Sequence, residues 1–204
     1  DGQVAWQGIL SAMYAVDDFS TGSYMVYRTQ REPVEEGELD RTTQAALLDS
    51  TVSIPLAIGS AGWRLVLEAE AAAIVGATNR ATSISSPSSV RINSGGATTR
   101  FRMLSPDEMA TVHLRGGFAS GDAEPDDGLS TTFTMDRDFD AGMVLFDEVL
   151  GSVDAATHAL LSDPDHAGSP PDGIDTLTAE GAVRSALYVQ PAIEIHSIEM
   201  LDLR

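Results

Sequence analysis

Apolar and polar residues exchange places one by one along several stretches of strand length. This period of two constrains the fold of the chain more than any other feature. Val52, Ile54, Leu56 and Ile58 alternate with Thr51, Ser53, Pro55 and Ala57. Trp63, Leu65 and Leu67 oppose Arg64, Val66 and Glu68, and Thr99, Phe101 and Met103 oppose Thr98, Arg100 and Arg102. Phe133, Met135 and Phe139 repeat the pattern against Thr132, Thr134, Asp136 and Asp138. Successive side chains of a strand point to opposite faces, so each stretch predicts a strand with one apolar and one polar face.

Further strands are expected at Gln3–Val16, Tyr24–Tyr27, Glu108–Phe118, Met143–Leu150, Ala182–Val189 and Ala192–Leu203, the last two split by Pro191. Trp63–Val75 is read as strand, although its Glu68-Ala-Glu-Ala-Ala-Ala run also suits a helix. Pro55 cannot donate to a ladder, so its strand is expected at an edge or with a bulge. Val153–Leu161 is the one amphipathic helix. The sum is an all-β chain, an antiparallel β-sandwich of jelly-roll kind with about ten strands and one short helix. A single domain over residues 1–204 is expected, with the Ser-rich stretch 83–96 as the weakest point.

The charge is lopsided. Twelve arginines and no lysine face 31 carboxylates, for a formal net charge of −19. Such a surface stays soluble in salt and repels nucleic acid and anionic lipid. No apolar run approaches the roughly 18 residues of a spanning helix, so membrane insertion is not expected. Cysteine is absent, which removes disulfides, thiolate metal sites and cysteine nucleophiles. The chain opens on Asp1 with no basic leader segment, consistent with a signal peptide already removed and an extracellular or cell-surface location.

Few constellations carry chemistry. Asp136, Asp138 and Asp140, with Asp147 further on, echo the spacing of a calcium loop, which gathers about six to eight hard oxygen ligands. Ala141 stands where that loop needs glycine, and Asp147 where it needs glutamate. The wet face of a strand explains the same aspartates more simply. Asp163 and Asp165 mark a second acidic loop open to Ca²⁺, with a solvated loop as the simpler account. His113, His158, His166 and His196 have no metal-ligand spacing. No Gly-x-Ser-x-Gly elbow and no phosphate-binding loop occur, and a catalytic role is not expected. Arg100, Arg102 and Arg115 form a small basic island. Trp6 and Trp63 are candidates for stacking on sugar rings, against a core role that aromatic residues fill more often.

The segments TTRFRMLSPDEMATVHLRGG (from Thr98) and STTFTMDRDFDAGMVLFDEVLG (from Ser130) resemble the repeated strand pairs of secreted bacterial proteins of the PEP-CTERM kind. Those are lysine-poor, Ser/Thr/Ala-rich β-sandwiches exported to the cell surface or matrix. The resemblance implies the same fold and location, and it carries over no functional residue.

The expected function is therefore a non-enzymatic, secreted structural or adhesive subunit that assembles with copies of itself. Val4, Trp6 and Ile9 in the first strand, and Ile193, Ile195 and Ile198 in the last, would make the pairing edges, because an unpaired strand is a template for another chain. A glycan-binding or glycan-cleaving jelly roll is the alternative, and a viral coat or decoration protein the third reading.

Overall fold

The computed structural model describes residues 3–33, 40–58, 62–80, 89–107, 109–124, 127–136, 139, 149–162 and 182–195. The all-β class is what the chain forms. Within the described residues the strands make one eight-stranded sheet, not two facing ones, and helix α1 (Leu150–Ser162) is the lone helix. The strands are β1 (Val4–Val16), β2 (Phe19–Glu32), β3 (Arg41–Ile58), β4 (Trp63–Thr78), β5 (Val90–Leu104), β6 (Ala110–Ala119), β7 (Leu129–Ser130) and β8 (Ala186–Ile195).

The path β1-β2-β3-β4-β5-β6-β8 is an up-and-down meander in which every neighbour is antiparallel. The two-residue β7 lies off that path and pairs with β5 in parallel. From β1 to β6 consecutive strands are neighbours, and the step from β6 to β8 carries β7 and α1. Val16 and Phe19 pair across Asp17-Asp18, and Asp17 takes a φ of 50°, which an aspartate tolerates in a tight hairpin turn. At the β5–β6 turn, Ser105 Oγ donates to Asp107 Oδ1 at 2.6 Å. That bond, with one from the Met109 N–H, holds the Asp107 carboxyl below its usual range.

Several local expectations shift. The Ser20-Thr-Gly stretch, read as a turn, runs inside β2, because the Asp-Asp pair before it makes the turn. Pro55 sits in β3 beyond Ser53, the last residue level with β2, so on that side it faces no ladder. Pro191 does not split the last strand: β8 passes through it at the edge of the sheet, where a missing N–H is tolerated. Residues 131–136 make one bridge, Thr134 to Arg184, and form no strand of the sheet. Leu150, expected to close a strand, opens α1, and Ile198 lies outside the described residues.

The buried apolar residues are few. Ala119, Met135, Val183 and Tyr188 form one small cluster, joined by Phe133, Phe139 and Ala186. Two glycines make room for its rings. A Cβ on Gly96 would lie 2.5 Å from the Phe133 ring, and one on Gly117 would lie 2.4 Å from the Tyr188 ring. Gly96→Leu and Gly117→Val should therefore each expel an aromatic ring and cost about 1–3 kcal/mol, read as a lowered denaturant midpoint and a weakened near-UV dichroism. Unchanged spectra in both variants would show that the rings do not rest on these glycines.

Candidate functional site: a two-faced sheet

Residues opposite each other in an antiparallel ladder share a face, so the register assigns every strand side chain to one of two surfaces. One surface carries Val4, Trp6, Leu10 and Tyr14 of β1 beside Phe19, Met25 and Tyr27 of β2. It continues through Leu48, Val52 and Ile54 of β3 and Trp63, Leu65, Leu67 and Val75 of β4. It ends in Phe101 and Met103 of β5, Val112, Leu114 and Phe118 of β6, and Leu187, Val189, Ile193 and Ile195 of β8. Its charged strand residues are Arg31 and Arg91, both near strand ends.

The other surface is polar. Arg28, Asp49, Arg64, Glu68, Glu70, Arg100, Arg102, His113, Arg115 and Glu194 all stand on it. Much of the apolar surface is open, though Val52, Ile54, Trp63, Leu65, Leu67 and Met103 on it are half-buried, and Ile9 and Met13 on the polar side are open as well. On the apolar side Trp6 is 59% exposed, Leu48 53%, Leu187 79% and Ile195 76%, whereas Tyr188 on the polar side is 9% exposed. The small buried cluster lies on the polar side, because Ala119, Ala186 and Tyr188 belong to that face.

The aromatic residues of the apolar face are not scattered. Strands alternate in direction, so Tyr14, Phe19, Trp63 and Phe101 fall toward the end of the sheet that holds the Asp17 turn, Phe118 stands level with Ala12 just inside them, and Trp6 and Tyr27 lie toward the other end. Tyr14 and Phe19 sit with ring centroids 6.3 Å apart, and Trp6 and Tyr27 6.0 Å apart. Between the two sets runs a row of aliphatic residues, Leu10, Met25, Leu48 and Ala73.

The polar face segregates its charges. Toward β3 and β4, Asp49 is buried, accepts a hydrogen bond from the Tyr24 hydroxyl and shares another with Glu70. Burial and the Asp49 charge raise the Glu70 carboxyl above its ordinary value, and the same causes raise the Tyr24 phenol. Toward β5 and β6, Glu68 lies 3.8 Å from Arg100 and 3.5 Å from Arg102, and His113 Nε2 is 3.3 Å from Glu194. The stretch from Leu129 to Asp136 folds over this face. Ser120 Oγ donates to the Thr131 carbonyl at 2.6 Å, the Phe133 ring covers Gly96, and the Met135 N–H donates to the Val183 carbonyl at 2.8 Å.

The expected site residues scatter. Asp136 is exposed beside this inward stretch, while Asp138, Asp140, Asp147, Asp163 and Asp165 lie outside the described residues. Among the described residues no group of His, Asp and Glu gathers in metal-ligating number. Trp6 and Trp63 share the apolar face but not a platform, because Trp6 is level with Thr29, Gln44 and Ala77, at the far end of β4 from Trp63. Val4, Trp6 and Ile9 do lie on one edge strand of the sheet, and Ile193 and Ile195 on the other. Ile9 faces the polar side, opposite to Val4 and Trp6. The Tyr24–Asp49–Glu70 set was missed in the sequence, since its members come from three strands and only the register unites them.

No protein-family model, curated protein or solved structure matches the chain. Its function has to be argued from the geometry.

The raised Glu70 carboxyl gives a pH dependence with a definite sign. The folded protein holds the Glu70 proton more tightly than the unfolded chain, so this contribution is complete at low pH. It is lost as pH rises from the ordinary glutamate value of 4.5 through the raised one. Glu70→Gln should flatten this part of the profile of denaturation midpoint against pH, and an unaltered slope would show that Glu70 is not the group responsible.

Proposed function

We propose that this chain forms the wall of a membrane-spanning β-barrel, with its apolar face against lipid hydrocarbon and its polar face lining an aqueous lumen. One observation carries the reading: the large apolar residues that β1, β6 and β8 place on the apolar face are exposed, and all strand charges except Arg31 and Arg91 stand on the opposite face. Seven strands side by side, at about 4.8 Å spacing and about 3.3 Å per residue over ten residues, cover roughly 1,000 Å². The largest apolar patch on a soluble monomer is about 300–600 Å².

Lipid fits this face better than a second protein surface does. A transmembrane strand needs about 9–11 tilted residues, and the strands of the meander run from 10 to 18. Aromatic residues toward both strand ends, with aliphatic residues between them, follow the interfacial girdles of such barrels. Arg31 and Arg91 lie where the polar boundary of a bilayer would fall. The charge of −19 is no obstacle, because strand charges other than these two stand on the lumenal side. No helix among the described residues is long and apolar enough to cross a membrane, which says nothing about strands.

In this reading the stretch Leu129–Asp136, folded across the polar face, narrows the lumen, as inward loops do in plugged barrels. The function is the passage or binding of small polar solutes across a cell-envelope membrane. The earlier expectation of a secreted subunit assembling through its terminal strands has its own support, since β1 and β8 are the two sheet edges. A β-barrel also requires both of those edges to be paired, so edge pairing does not distinguish the two readings. The apolar face does.

The chain has two tryptophans, both on the apolar face, and they report directly on what covers it. In lipid vesicles their emission should shift to the blue and be quenched by bromines on the acyl chains. Emission unaffected by brominated lipid, with the protein recovered as a face-to-face dimer in the aqueous fraction, would refute the barrel. On the same reading Leu48→Arg should lower stability in bilayers by about 2–4 kcal/mol, while Ser53→Arg on the lumenal face beside Glu68 should cost little. Equal penalties at the two positions would contradict the assignment of the faces.

A further inference from the structure

We propose that Arg100 and Arg115 form a binding point for an oxyanion, a carboxylate or phosphate group of a small solute, in the cleft on the polar face. The inference rests on that face being the lumen only for its physiological meaning, since the site itself is local.

The two arginines are directly opposite each other in the β5–β6 ladder. Like charges in that position repel and destabilise a sheet. Arg102 follows on the same face two residues along β5, opposite His113. The carboxylates that answer this group are few. Glu68 is shared between Arg100 and Arg102 at 3.8 and 3.5 Å, and Glu194 is taken by His113 at 3.3 Å. Among the described residues Arg115 has no carboxylate partner. In a chain with 31 acids to 12 arginines, neutralising neighbours were abundantly available. The sheet nevertheless keeps a positive excess here.

The surroundings form a receptacle. A cleft of about 350 Å³ is lined by Arg100, Arg115, Glu68, Thr98, Phe139 and Tyr188. The Tyr188 and Phe139 rings sit tilted at 59° with centroids 6.1 Å apart along one side, and the Tyr188 hydroxyl meets Thr98 Oγ1 at 3.3 Å. The Arg100 and Glu68 side chains keep 39% and 37% of their surface exposed, so the cleft opens to solvent. Guanidinium forks present paired N–H donors in the spacing of carboxylate or phosphate oxygens. Two opposed forks with one shared carboxylate leave donors for one incoming oxyanion. Glu68 and Glu70 border the same cleft from β4, so it suits a solute with its anionic group toward β5 and β6 and a hydroxyl or ammonium group toward β4.

The test is an equilibrium titration of the folded full chain in detergent micelles at low salt, with inorganic phosphate and, separately, with succinate. Saturable binding of either is expected, weakened by added sodium chloride. Arg115→Gln and Arg100→Gln should each weaken it about tenfold or more, the loss of roughly one charge-assisted contact. Glu68→Gln should tighten it, because the competing carboxylate is gone, and this variant keeps the test decisive if an arginine variant fails to fold. Arg64→Gln, on the same face outside the cleft, should change nothing. Phosphate alone binding would assign a phosphate site, and succinate alone a carboxylate site. No saturable binding, or binding indifferent to Arg115 and Glu68, overturns the proposal. A chain that inserts into vesicles yet binds neither anion loses this inference and keeps the barrel, and one that binds anions but stays out of lipid does the reverse.

Discussion

A sheet one layer thick has no core of its own on its outer side, and everything else in this protein follows from where that side is hidden. Burying roughly 1,000 Å² of apolar surface at about 25 cal/mol per Å² is worth on the order of 25 kcal/mol. A folded domain keeps a net stability of only about 5–15 kcal/mol. The medium that covers the apolar face therefore decides whether the chain folds at all. The small buried cluster around Tyr188 and Val183 cannot substitute for it. The backbone ladder fits this division of labour. Each interior strand pairs on both sides along most of its length, so the polar main chain is satisfied within the sheet and can enter hydrocarbon.

On the lumenal side the structure solves the opposite problem, how to keep charges close together without collapse. Asp49 and Glu70 stand together on β3 and β4, and Arg100, Arg102 and Arg115 together on β5 and β6. Glu68 stands at the seam between them. Burial and the Asp49 charge raise the Glu70 carboxyl above its ordinary value. The arginines stay charged, since a guanidinium does not deprotonate in a protein. Gly96 and Gly117 belong to the same design, because flat spots in a wall of side chains let Phe133 and Tyr188 lie against the sheet and carry the inward stretch with them.

Much of the fold could be read in the sequence, and its orientation could not. The alternation at Thr51–Ile58 and Thr98–Leu104 marks strands with two faces, and those strands are present. Alternation is symmetric, however: it separates Phe101 from Arg100 without saying which of them meets water. A soluble sandwich puts Phe101 inside, and a barrel in lipid puts it outside. Trp6 and Trp63 suit a core or a sugar platform equally for that reason, and in the assembled register Trp6 is exposed and Trp63 half-buried. The Tyr24–Asp49–Glu70 contacts and the Arg100–Arg115 opposition depend on strand register, which no local pattern encodes. Local chemistry did better where one residue dominates. Pro55 faces no neighbour beyond the reach of β2, as a missing donor requires.

The two sheet edges impose a further condition. Along the path β1-β2-β3-β4-β5-β6-β8 each strand reverses its neighbour, so the first and seventh members run in the same direction. Closing β1 directly onto β8 would therefore make a parallel seam. An antiparallel seam requires an odd number of additional strands between them. Two copies related by an axis along the membrane normal do not supply it, because the β8 of one would meet the β1 of the other in the same sense. Exposed edges do not survive in hydrocarbon, so a membrane wall built on this sheet would be one arc of a larger barrel or would close by a parallel seam. The side chains at the edges are suited to either. Val4, Leu10, Ile193 and Ile195 lie on the apolar face, and Gln7, Gln190 and Glu194 on the polar face, so a strand added at either edge would extend both surfaces without changing their character.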